Sequence, residues 1–435
     1  MIDFDTYHDS LAASDTIPVH GRITDVVGLT IEATGPTVRI GDFCYIQPPD
    51  RDEKIPAEVV GFRGGKILLM PLGDSQGICP ESLLITTGKP FATKVNEKLI
   101  GRVLNGLGEP IDGLGELSGG DLMPVMAAPP SVMERKRIVE PIATGIRSID
   151  GCLTCGQGQR VGIMSGSGVG KSKLMGMIAR NTDADINVIA LIGERGREVR
   201  DFIESDLGEE GLKRSILVVA TSDEPALVRI KGAYIATAIA EWFRGQGQNV
   251  MLMMDSVTRF AMAQREVGLA IGEPPTTKGY PPSVFSVLPK LMERAGTDQS
   301  GSITGVYTVL IEADDLNDPI GDAVRSITDG HVSLSRNLAS RGQYPAVNVL
   351  DSVSRVMIDV ASDVHQRLAQ QIRRTLATYQ DAEDLINIGA YVDGSNPDID
   401  LAIRLTPQIN SFLEQGLDES APWDMLLERM QHALS

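Results

Sequence analysis

A glycine-rich segment at residues 165–172, SGSGVGKS, constrains the fold of this chain more than any other feature. It comes directly after an apolar run, QRVGIM, and directly before KLMGMIAR, which has a helical pattern. The backbone amides of such a loop converge on phosphate oxygens when a strand and a helix N-terminus hold the loop between them. The sequence therefore predicts an α/β fold built around a strand, a phosphate-binding loop and a helix.

The loop also carries the side chains that a nucleotide phosphate requires. Lys171 is expected to reach the β- and γ-phosphates, and the Ser172 hydroxyl is expected to ligate Mg²⁺. Ser165 stands where the strict pattern has glycine, so a chance glycine-rich turn is the structural alternative. The residues predicted to cradle the phosphates are Gly166, Ser167, Gly168, Val169, Gly170, Lys171, Ser172 and Lys173.

Two further apolar runs end in acidic residues. NVMLMMD ends in Asp255, and INVIALIG is followed by Glu194 and Arg195. Parallel sheets bind ligands at the carboxyl ends of their strands, so Asp255 is predicted to hold the metal shell. Glu194 is predicted to polarise the attacking water. The structural alternatives are a helix cap for Asp255 and a solvated helix start for Glu194.

The remaining sequence changes character along the chain. Short alternating runs broken by Gly and Pro predict a small β-barrel, and a Gly- and Pro-rich stretch predicts a connector. Near-continuous apolar runs separated by helical patterns then predict a parallel sheet, followed by a helical C-terminal domain. The expected regions are a flexible segment 1–19, a barrel 20–90, a connector 91–140, a nucleotide-binding domain 141–360 and a helical domain 361–435.

Charge and targeting signals exclude several classes of protein. The chain has 40 Lys and Arg against 58 Asp and Glu, a formal net charge of −18, which disfavours a nucleic-acid partner. The N-terminal sequence lacks the basic and apolar regions of a signal peptide, and no run approaches the roughly 18 apolar residues that span a bilayer. The sequence therefore predicts a soluble cytoplasmic protein that contacts a membrane only through partners.

The four cysteines do not form a disulfide framework. Cys152 and Cys155 make one CxxC, but no second pair or nearby histidines complete a zinc site. We interpret them as two buried thiols before a strand.

At three places the sequence resembles a known family. LIGERGREVRDFIESDLGEEGL, DSVTRFAMAQREVGLAIGEPPTTKGYPPSVFSVLPKLMERAG and YPAVNVLDSVSRVM resemble the catalytic chains of rotary ATPases. The resemblance is strongest to the flagellar and type III secretion export ATPases, and YQDAEDLINIGAYVDGSNPDIDLAI favours that branch. It implies an N-terminal β-barrel, a RecA-like core and a helical C-terminal domain that assemble as a homohexamer, with ATP and Mg²⁺ as ligands.

The resemblance also implies roles for single residues. Glu194 is implied as the catalytic glutamate, and Arg195 and Arg259 are implied to approach the γ-phosphate. Tyr344 is implied to stack on adenine, and Arg355 to be an arginine finger that reaches the neighbouring subunit. From the residues alone, an arginine after a serine-rich turn more usually forms a surface salt bridge, and the finger role comes from the resemblance.

Several partners follow from the resemblance. They are a regulator, a stalk protein, chaperone–substrate complexes and a membrane export gate. Phe4, Tyr7 and Leu11 lie at helical spacing and could dock the regulator, although a frayed terminus is the alternative. The loop before KGYPPSVFSVLPKL is implied to lie near a central pore.

Four alternatives remain beside a flagellar export ATPase. An injectisome ATPase shares these motifs, and nothing in the sequence decides strongly between the two systems. An RNA-dependent helicase would need a basic, aromatic RNA surface. A non-catalytic ring subunit would lack Lys171 or Glu194, and a synthase catalytic chain would need a second homologous subunit.

Overall fold

The computed structural model describes residues 19–311 and 318–435. The chain divides into two compact units. One contains the N-terminal region to Phe91 with Ala270–Glu273, and the other contains Ala92–Leu269 and Pro274–Ser435. The predicted fold class is confirmed: a β-barrel, a core with a parallel sheet, and a helical C-terminal region. The stripe predicted at Phe4, Tyr7 and Leu11 lies outside the described residues.

Six antiparallel strands close into the N-terminal barrel in the order β1-β2-β5-β4-β3-β6. They are β1 Gly21–Val27, β2 Thr30–Thr34, β3 Asp42–Gln47, β4 Ile55–Arg63, β5 Lys66–Pro71 and β6 Leu83–Pro90. Inward-facing side chains such as Ile23, Ile46 and Leu69 form its core. Gly64 and Gly65 both have positive φ in the two-residue turn between β4 and β5, which suits a tight hairpin.

The predicted connector contains strands that sequence analysis did not anticipate. They are β7 Ala92–Val95, β8 Val103–Asn105 and β9 Asp121–Pro124, with a 3-10 turn at Glu97–Leu99. β7 pairs with β9 in a two-stranded ribbon. β8 is anchored by Asp112, which accepts hydrogen bonds from Arg102 Nε at 2.6 Å, Arg102 Nη2 at 2.8 Å and the Val103 amide at 3.0 Å. The Arg102 guanidinium holds the pKa of the Asp112 carboxyl well below its usual range.

The second unit is built on a nine-stranded sheet with the order β19-β18-β12-β17-β15-β13-β14-β8, with β16 paired to β17. Its further strands are β12 Arg160–Ser165, β13 Ile186–Ile192, β14 Ser215–Ala220, β15 Asn249–Asp255, β16 Gly296–Thr297, β17 Ser302–Leu310, β18 Gly330–Leu334 and β19 Val347–Ser354. β18 through β8 run parallel, whereas β19 and β16 run antiparallel to their neighbours. The apolar runs predicted as strands are all members of this sheet. A separate pair, β10 Pro141–Ile142 and β11 Cys155–Gly156, precedes β12.

Helices follow most of the parallel strands. They are α1 Arg147–Cys152, α2 Lys171–Asn181, α3 Gly196–Asp201, α4 Gly208–Leu212, α5 Ala226–Gly245, α6 Val257–Ile271, α7 Pro282–Met292, α8 Pro319–Ile327, α9 Arg336–Ser340 and α10 Met357–Val360. A π-helical turn at Phe202–Leu207 joins α3 to α4, and a 3-10 turn occupies Thr277–Gly279. β13 is buried along its whole length, as expected of a strand with helices on both faces of the sheet.

Three helices and a 3-10 turn form the C-terminal region. They are α11 Asp363–Asn387, α12 Pro397–Leu413, the turn Trp423–Met425 and α13 Leu426–Ala433. The side chains of Ser362 and Asn396 cap α11 and α12 by accepting hydrogen bonds from first-turn amides. Ile372, Ile409 and Met430 belong to the same hydrophobic cluster as the sheet residues Ile163 and Leu191. The helical region therefore shares its core with the sheet.

Candidate nucleotide-binding site

The glycine-rich loop connects β12 to α2, as the sequence predicts. Gly168 and Gly170 have φ of +79° and +90°, a region that side-chain-bearing residues rarely adopt, so glycine is required at both positions. Gly170 is the N-cap of α2, so the loop ends at the positive end of the helix dipole. This geometry suits an anion.

A cavity of about 860 Å³ opens beside the loop. Seven of the eight residues predicted as the cradle line it: Gly166, Ser167, Gly168, Gly170, Lys171, Ser172 and Lys173. Val169 does not, because its side chain is 2% exposed and packs in the hydrophobic core. Its side chain therefore anchors the loop from below. Lys173 lines the cavity but is paired with Asp206.

Two acidic strand ends converge on Lys171. Its ammonium donates to the Asp255 carboxylate, and its Nζ lies 3.6 Å from Glu194 Oε1. The convergence follows from the sheet order, because β13 and β15 are neighbours and Leu191 pairs with Asp255. Thr308 on the next strand, β17, donates to Asp255 Oδ1 at 2.8 Å, a contact that sequence analysis missed.

Glu194 occupies an unusual electrostatic position. Its Oε1 is buried and accepts no hydrogen bond within the described chain. Burial, with the nearby Asp255 charge as a second cause, raises the pKa of the Glu194 carboxyl to about 7, although Lys171 opposes the shift. A carboxyl group with this pKa can exchange protons near neutral pH, as a general base requires.

Gly193 fixes the approach of Glu194 to the cavity. Its φ is +72°, and a Cβ there would lie 2.7 Å from Arg259 Cβ. Its amide donates to the Ala220 carbonyl on β14, so the turn after β13 is fixed to the sheet. The resulting close packing brings Arg259 to the cavity wall beside Glu194.

Four arginines line the cavity: Arg195, Arg259, Arg265 and Arg336. Arg265 lies over the ring of Tyr280, 5.1 Å from its centroid. Arg195 is exposed and pairs with Glu198 at 3.2 Å. Arg259 has a buried Nε that donates no hydrogen bond within the described residues. Arg336, the first residue of α9, was not predicted; its guanidinium is exposed and has no hydrogen bond or ion pair among residues 19–311 and 318–435. Its position two residues after the end of the strand GHVSL was the available signal, since that strand ends at the same edge of the sheet.

The ring of Tyr344 lies over the glycine-rich loop. A Cβ on Gly170 would lie 3.4–3.5 Å from two of its ring carbons. The ring is 44% exposed and lines a second cavity, of about 1040 Å³, together with Phe412 and Gln415 of the C-terminal region. The Tyr344 carbonyl accepts a hydrogen bond from the Gln415 amide at 2.9 Å. An aromatic face is therefore available beside the phosphate loop.

Arg355 is not part of the cavity of its own chain. It follows β19, whose residue Ser354 pairs with Gly330 at the start of β18, whereas Val347 pairs with Leu334 at the end. β12 runs parallel to β18 and ends at the loop, so Arg355 lies at the opposite edge of the sheet from Lys171. Six residues of β12 at about 3.3 Å each separate the two edges by about 20 Å.

The oxygen donors predicted for Mg²⁺ lie together. Ser172 and Asp255 line one small cavity of about 20 Å³, which Glu194, predicted as a catalytic residue and not as a metal ligand, also lines. A hydroxyl and a carboxylate are hard oxygen ligands of the kind that Mg²⁺ prefers, so these residues fit the ion.

Neither the cysteines nor the helices indicate a further cofactor or a membrane span. Cys152 and Cys155 are buried free thiols, and burial raises the pKa of each to about 12. Within the described chain, no group of three or more His, Cys, Asp or Glu is placed to hold a metal. None of the helices in those same ranges is long and apolar enough to cross a membrane.

Family models match most of the chain. Residues 23–88 match the β-barrel domain of the ATP synthase alpha/beta family, and residues 145–354 match its nucleotide-binding domain. Residues 361–432 match the C-terminal domain of the type III secretion ATPase EscN. The chain belongs to the type III export ATPases. It is thus an ATP-hydrolysing enzyme whose site binds a nucleotide.

Individual relatives agree with this membership. The export ATPase is 56% identical to the flagellum-specific ATP synthase of Bacillus subtilis, over 98% of this chain and 97% of the relative. It is 50% identical to the type 3 secretion system ATPase of Xanthomonas euvesicatoria, over 94% and 92%. The structure of the assembled ATPase EscN from enteropathogenic E. coli aligns with a TM-score of 0.90 and 45% identity, over 95% of this chain and all of that one. EscN in complex with its central stalk EscO aligns with a TM-score of 0.88.

Proposed function

We propose that this export ATPase energises flagellar protein export, using ATP hydrolysis to unfold substrates, release chaperones and deliver chains to a membrane export gate. The observation that carries the proposal is the convergence of Lys171, Glu194 and Asp255 at the base of a phosphate-binding loop. The similarity to a flagellum-specific relative over nearly its whole length supports the flagellar assignment.

The loop and Lys171 bind the triphosphate. The loop amides of Gly166, Gly168 and Gly170 accommodate the phosphate oxygens, and the Lys171 ammonium exchanges Asp255 for the β- and γ-phosphates. Ser172 and Asp255 would hold Mg²⁺, which would offset the charge of the phosphates. Lys173 remains at the rim, where Asp206 fixes its side chain.

Glu194 orients and polarises the attacking water. Its raised pKa and buried Oε1 equip it to accept a proton. Arg195 and Arg259, on the wall of the same cavity, approach the γ-phosphate and stabilise its developing charge. Tyr344 stacks on the adenine, since its exposed ring covers the loop at Gly170.

Arg355 completes the site of a neighbouring subunit. It is exposed, and its guanidinium has no hydrogen bond or ion pair in the part of the chain that the structure describes. Its own cavity lies at the other edge of the sheet, so Arg355 serves a second chain. A homohexamer supplies six such contacts, and the assembled state of EscN supports this arrangement.

The proposed setting is the cytoplasmic side of the inner membrane, reached through partners. A stalk protein is the best supported of these, because EscN forms a complex with its central stalk EscO. A regulator, chaperone–substrate complexes and the export gate are the others. The acidic charge of the chain disfavours nucleic acid.

The proposal is tested by complementing a strain that lacks this gene with wild type or with Lys171→Ala. We expect only the wild type to restore motility and the appearance of flagellar proteins in the culture medium. If the deletion leaves motility intact and abolishes secretion through an injectisome, the flagellar assignment is wrong and the injectisome reading replaces it. The 50% identity to a type 3 secretion system ATPase makes that outcome the main alternative.

A further inference from the structure

The side chain of Gln159 is fully buried at the start of β12. Its Oε1 accepts a hydrogen bond from the Gly156 amide at 2.9 Å, which fixes the orientation of the side-chain amide. Its Nε2 donates to the Asp329 carbonyl and to Ser354 Oγ, each at 3.2 Å. All polar atoms of this side chain are therefore committed to the backbone or side chains of three other segments.

These contacts surround the backbone of Arg355. The Asp329 carbonyl that accepts from Gln159 also accepts from the Arg355 amide, at 2.9 Å. Ser354 lies directly before Arg355. Its hydroxyl accepts from Gln159 and donates in turn to the Thr154 carbonyl at 2.8 Å. Gln159 is thus bonded to the residue before Arg355 and to the carbonyl that accepts the Arg355 amide.

A neighbouring pair reinforces one side of this arrangement. The Asp329 carboxylate accepts from the Arg160 amide and Arg160 Nε, both at 3.1 Å. Arg160 also pairs with Glu293, so its removal would disturb α7 as well. Gln159, by contrast, contacts both the residue before Arg355 and the acceptor of the Arg355 amide.

We infer that Gln159 is a positioning residue for Arg355, holding the backbone from which the guanidinium reaches into the next subunit's site. The inference rests on the proposed role of Arg355 in trans. It also gives β12 a second function, since this strand carries the phosphate loop at one end and Gln159 at the other.

The first test is Gln159→Met, which keeps the length of the side chain and removes both donors and the acceptor. Misplacement of a catalytic group by about 1 Å costs on the order of 10²-fold in rate. We expect kcat to fall about 10- to 100-fold while KM for ATP changes less than threefold, because the arginine acts in the transition state. An unchanged kcat, or a defect in KM alone, overturns the inference.

A second variant is needed because Gln159→Met could lose activity simply by failing to fold. Ser354→Ala leaves Gln159 in place and removes the hydroxyl that Gln159 contacts. We therefore expect this variant to lower kcat by a smaller factor than Gln159→Met does, again with little change in KM. Thermal unfolding and ring formation are measured for both variants. If Gln159→Met does not fold, the kcat of Ser354→Ala becomes the test. Full activity in Ser354→Ala then rejects the inference.

The double variant shows whether Gln159 acts through Arg355. If it does, Gln159→Met should add no more than about a twofold loss to the defect of Arg355→Ala. An additional tenfold loss would show that Gln159 acts on its own phosphate loop instead.

Mixed rings test the direction of the effect. Lys171→Ala chains have no working loop but hold Arg355 correctly, so mixing them with Gln159→Met chains should raise turnover above that of either alone. Arg355→Ala mixed with Lys171→Ala is run in parallel. If that reference mixture gains activity and the Gln159→Met mixture does not, only the Gln159 inference fails. If Arg355→Ala alone retains wild-type turnover, the trans role in the proposed function fails, and the Gln159 inference fails with it.

Discussion

The ammonium of Lys171 donates to the carboxylate of Asp255, joining the first residue of α2 to the last residue of β15. Glu194 Oε1 lies 3.6 Å from the nitrogen of the same ammonium. One cation therefore offsets two largely buried carboxylates. Phosphate oxygens compete for this cation, so binding of ATP changes the charge balance around both acids.

Lys171→Ala should abolish ATP turnover and weaken nucleotide binding, because it removes the ammonium that lies at the base of the loop between the proposed phosphate site and the carboxylates of Asp255 and Glu194. Turnover is measured by phosphate release and binding by a fluorescent ATP analogue. Lys213→Ala is a matched control, since Lys213 is exposed and pairs with Glu209 and Glu210 away from the loop. Near-normal hydrolysis by Lys171→Ala would remove the phosphate-loop assignment.

Glu194→Gln should bind ATP but hydrolyse it about 10²- to 10⁴-fold more slowly, since an amide cannot accept the proton. The substitution keeps the shape of the side chain, so unfolding should be little changed. Glu210→Gln should retain wild-type activity, because Glu210 is an exposed acid outside the cavity that pairs with Lys213. Turnover within a few-fold of wild type in Glu194→Gln would make Glu194 structural.

The sequence predicted the parts of this site that depend on local pattern and on the rule that ligands bind at carboxyl strand ends. Lys171, Glu194 and Asp255 meet for that reason. Thr308 could not be predicted, because it lies inside an apolar strand and reaches Asp255 only through the pairing of β15 with β17. The sequence also does not show which side chain of the loop is buried in the hydrophobic core. In the structure it is the side chain of Val169.

The same limit explains the connector. β8 has only three residues, which are too few to show a periodic pattern. The Gly and Pro residues around it are typical of a loop, so the sequence predicts a loop there. It becomes a strand because β14, more than a hundred residues later, offers it a parallel edge. Long-range pairing of this kind is absent from any local window.

Asp112→Asn tests the anchor of β8. At pH 7 the variant should be less stable than wild type by about 1.5–3 kcal/mol, the range for hydrogen bonds to charged groups. The carboxyl pKa is lowered in the folded state, so its contribution is present above the ordinary pKa of about 3.9 and is lost as the pH falls below it. Urea unfolding at pH 7 and near pH 3 should therefore show the difference shrinking in acid. Glu116→Gln, at an exposed acid of the same segment, should show no such trend.

Tyr344→Ala should raise KM for ATP about 10-fold and lower kcat much less, because stacking stabilises bound substrate and transition state alike. Tyr344→Phe keeps the ring and should remain close to wild type. A kcat defect with unchanged KM would place the adenine elsewhere.

Arg355→Ala tests assembly and chemistry together. The variant should bind ATP and form rings, yet lose most turnover, since an arginine finger contributes about 10³–10⁵ in rate where it has been dissected. Arg325→Ala is a suitable control, because Arg325 lies outside the cavity and pairs locally with Asp322.

Sharing of the site predicts two further results. Wild-type specific activity should rise steeply with protein concentration across the transition from monomer to ring, because an isolated chain lacks the arginine. Mixing Arg355→Ala chains with Lys171→Ala chains should restore part of the turnover, since some interfaces then combine an intact Arg355 with an intact loop. If mixed rings form and no activity returns, the concentration series separates two explanations. A steep rise means that hydrolysis requires intact sites around the whole ring. A flat specific activity means that Arg355 acts within its own chain or not at all, and the shared site is rejected.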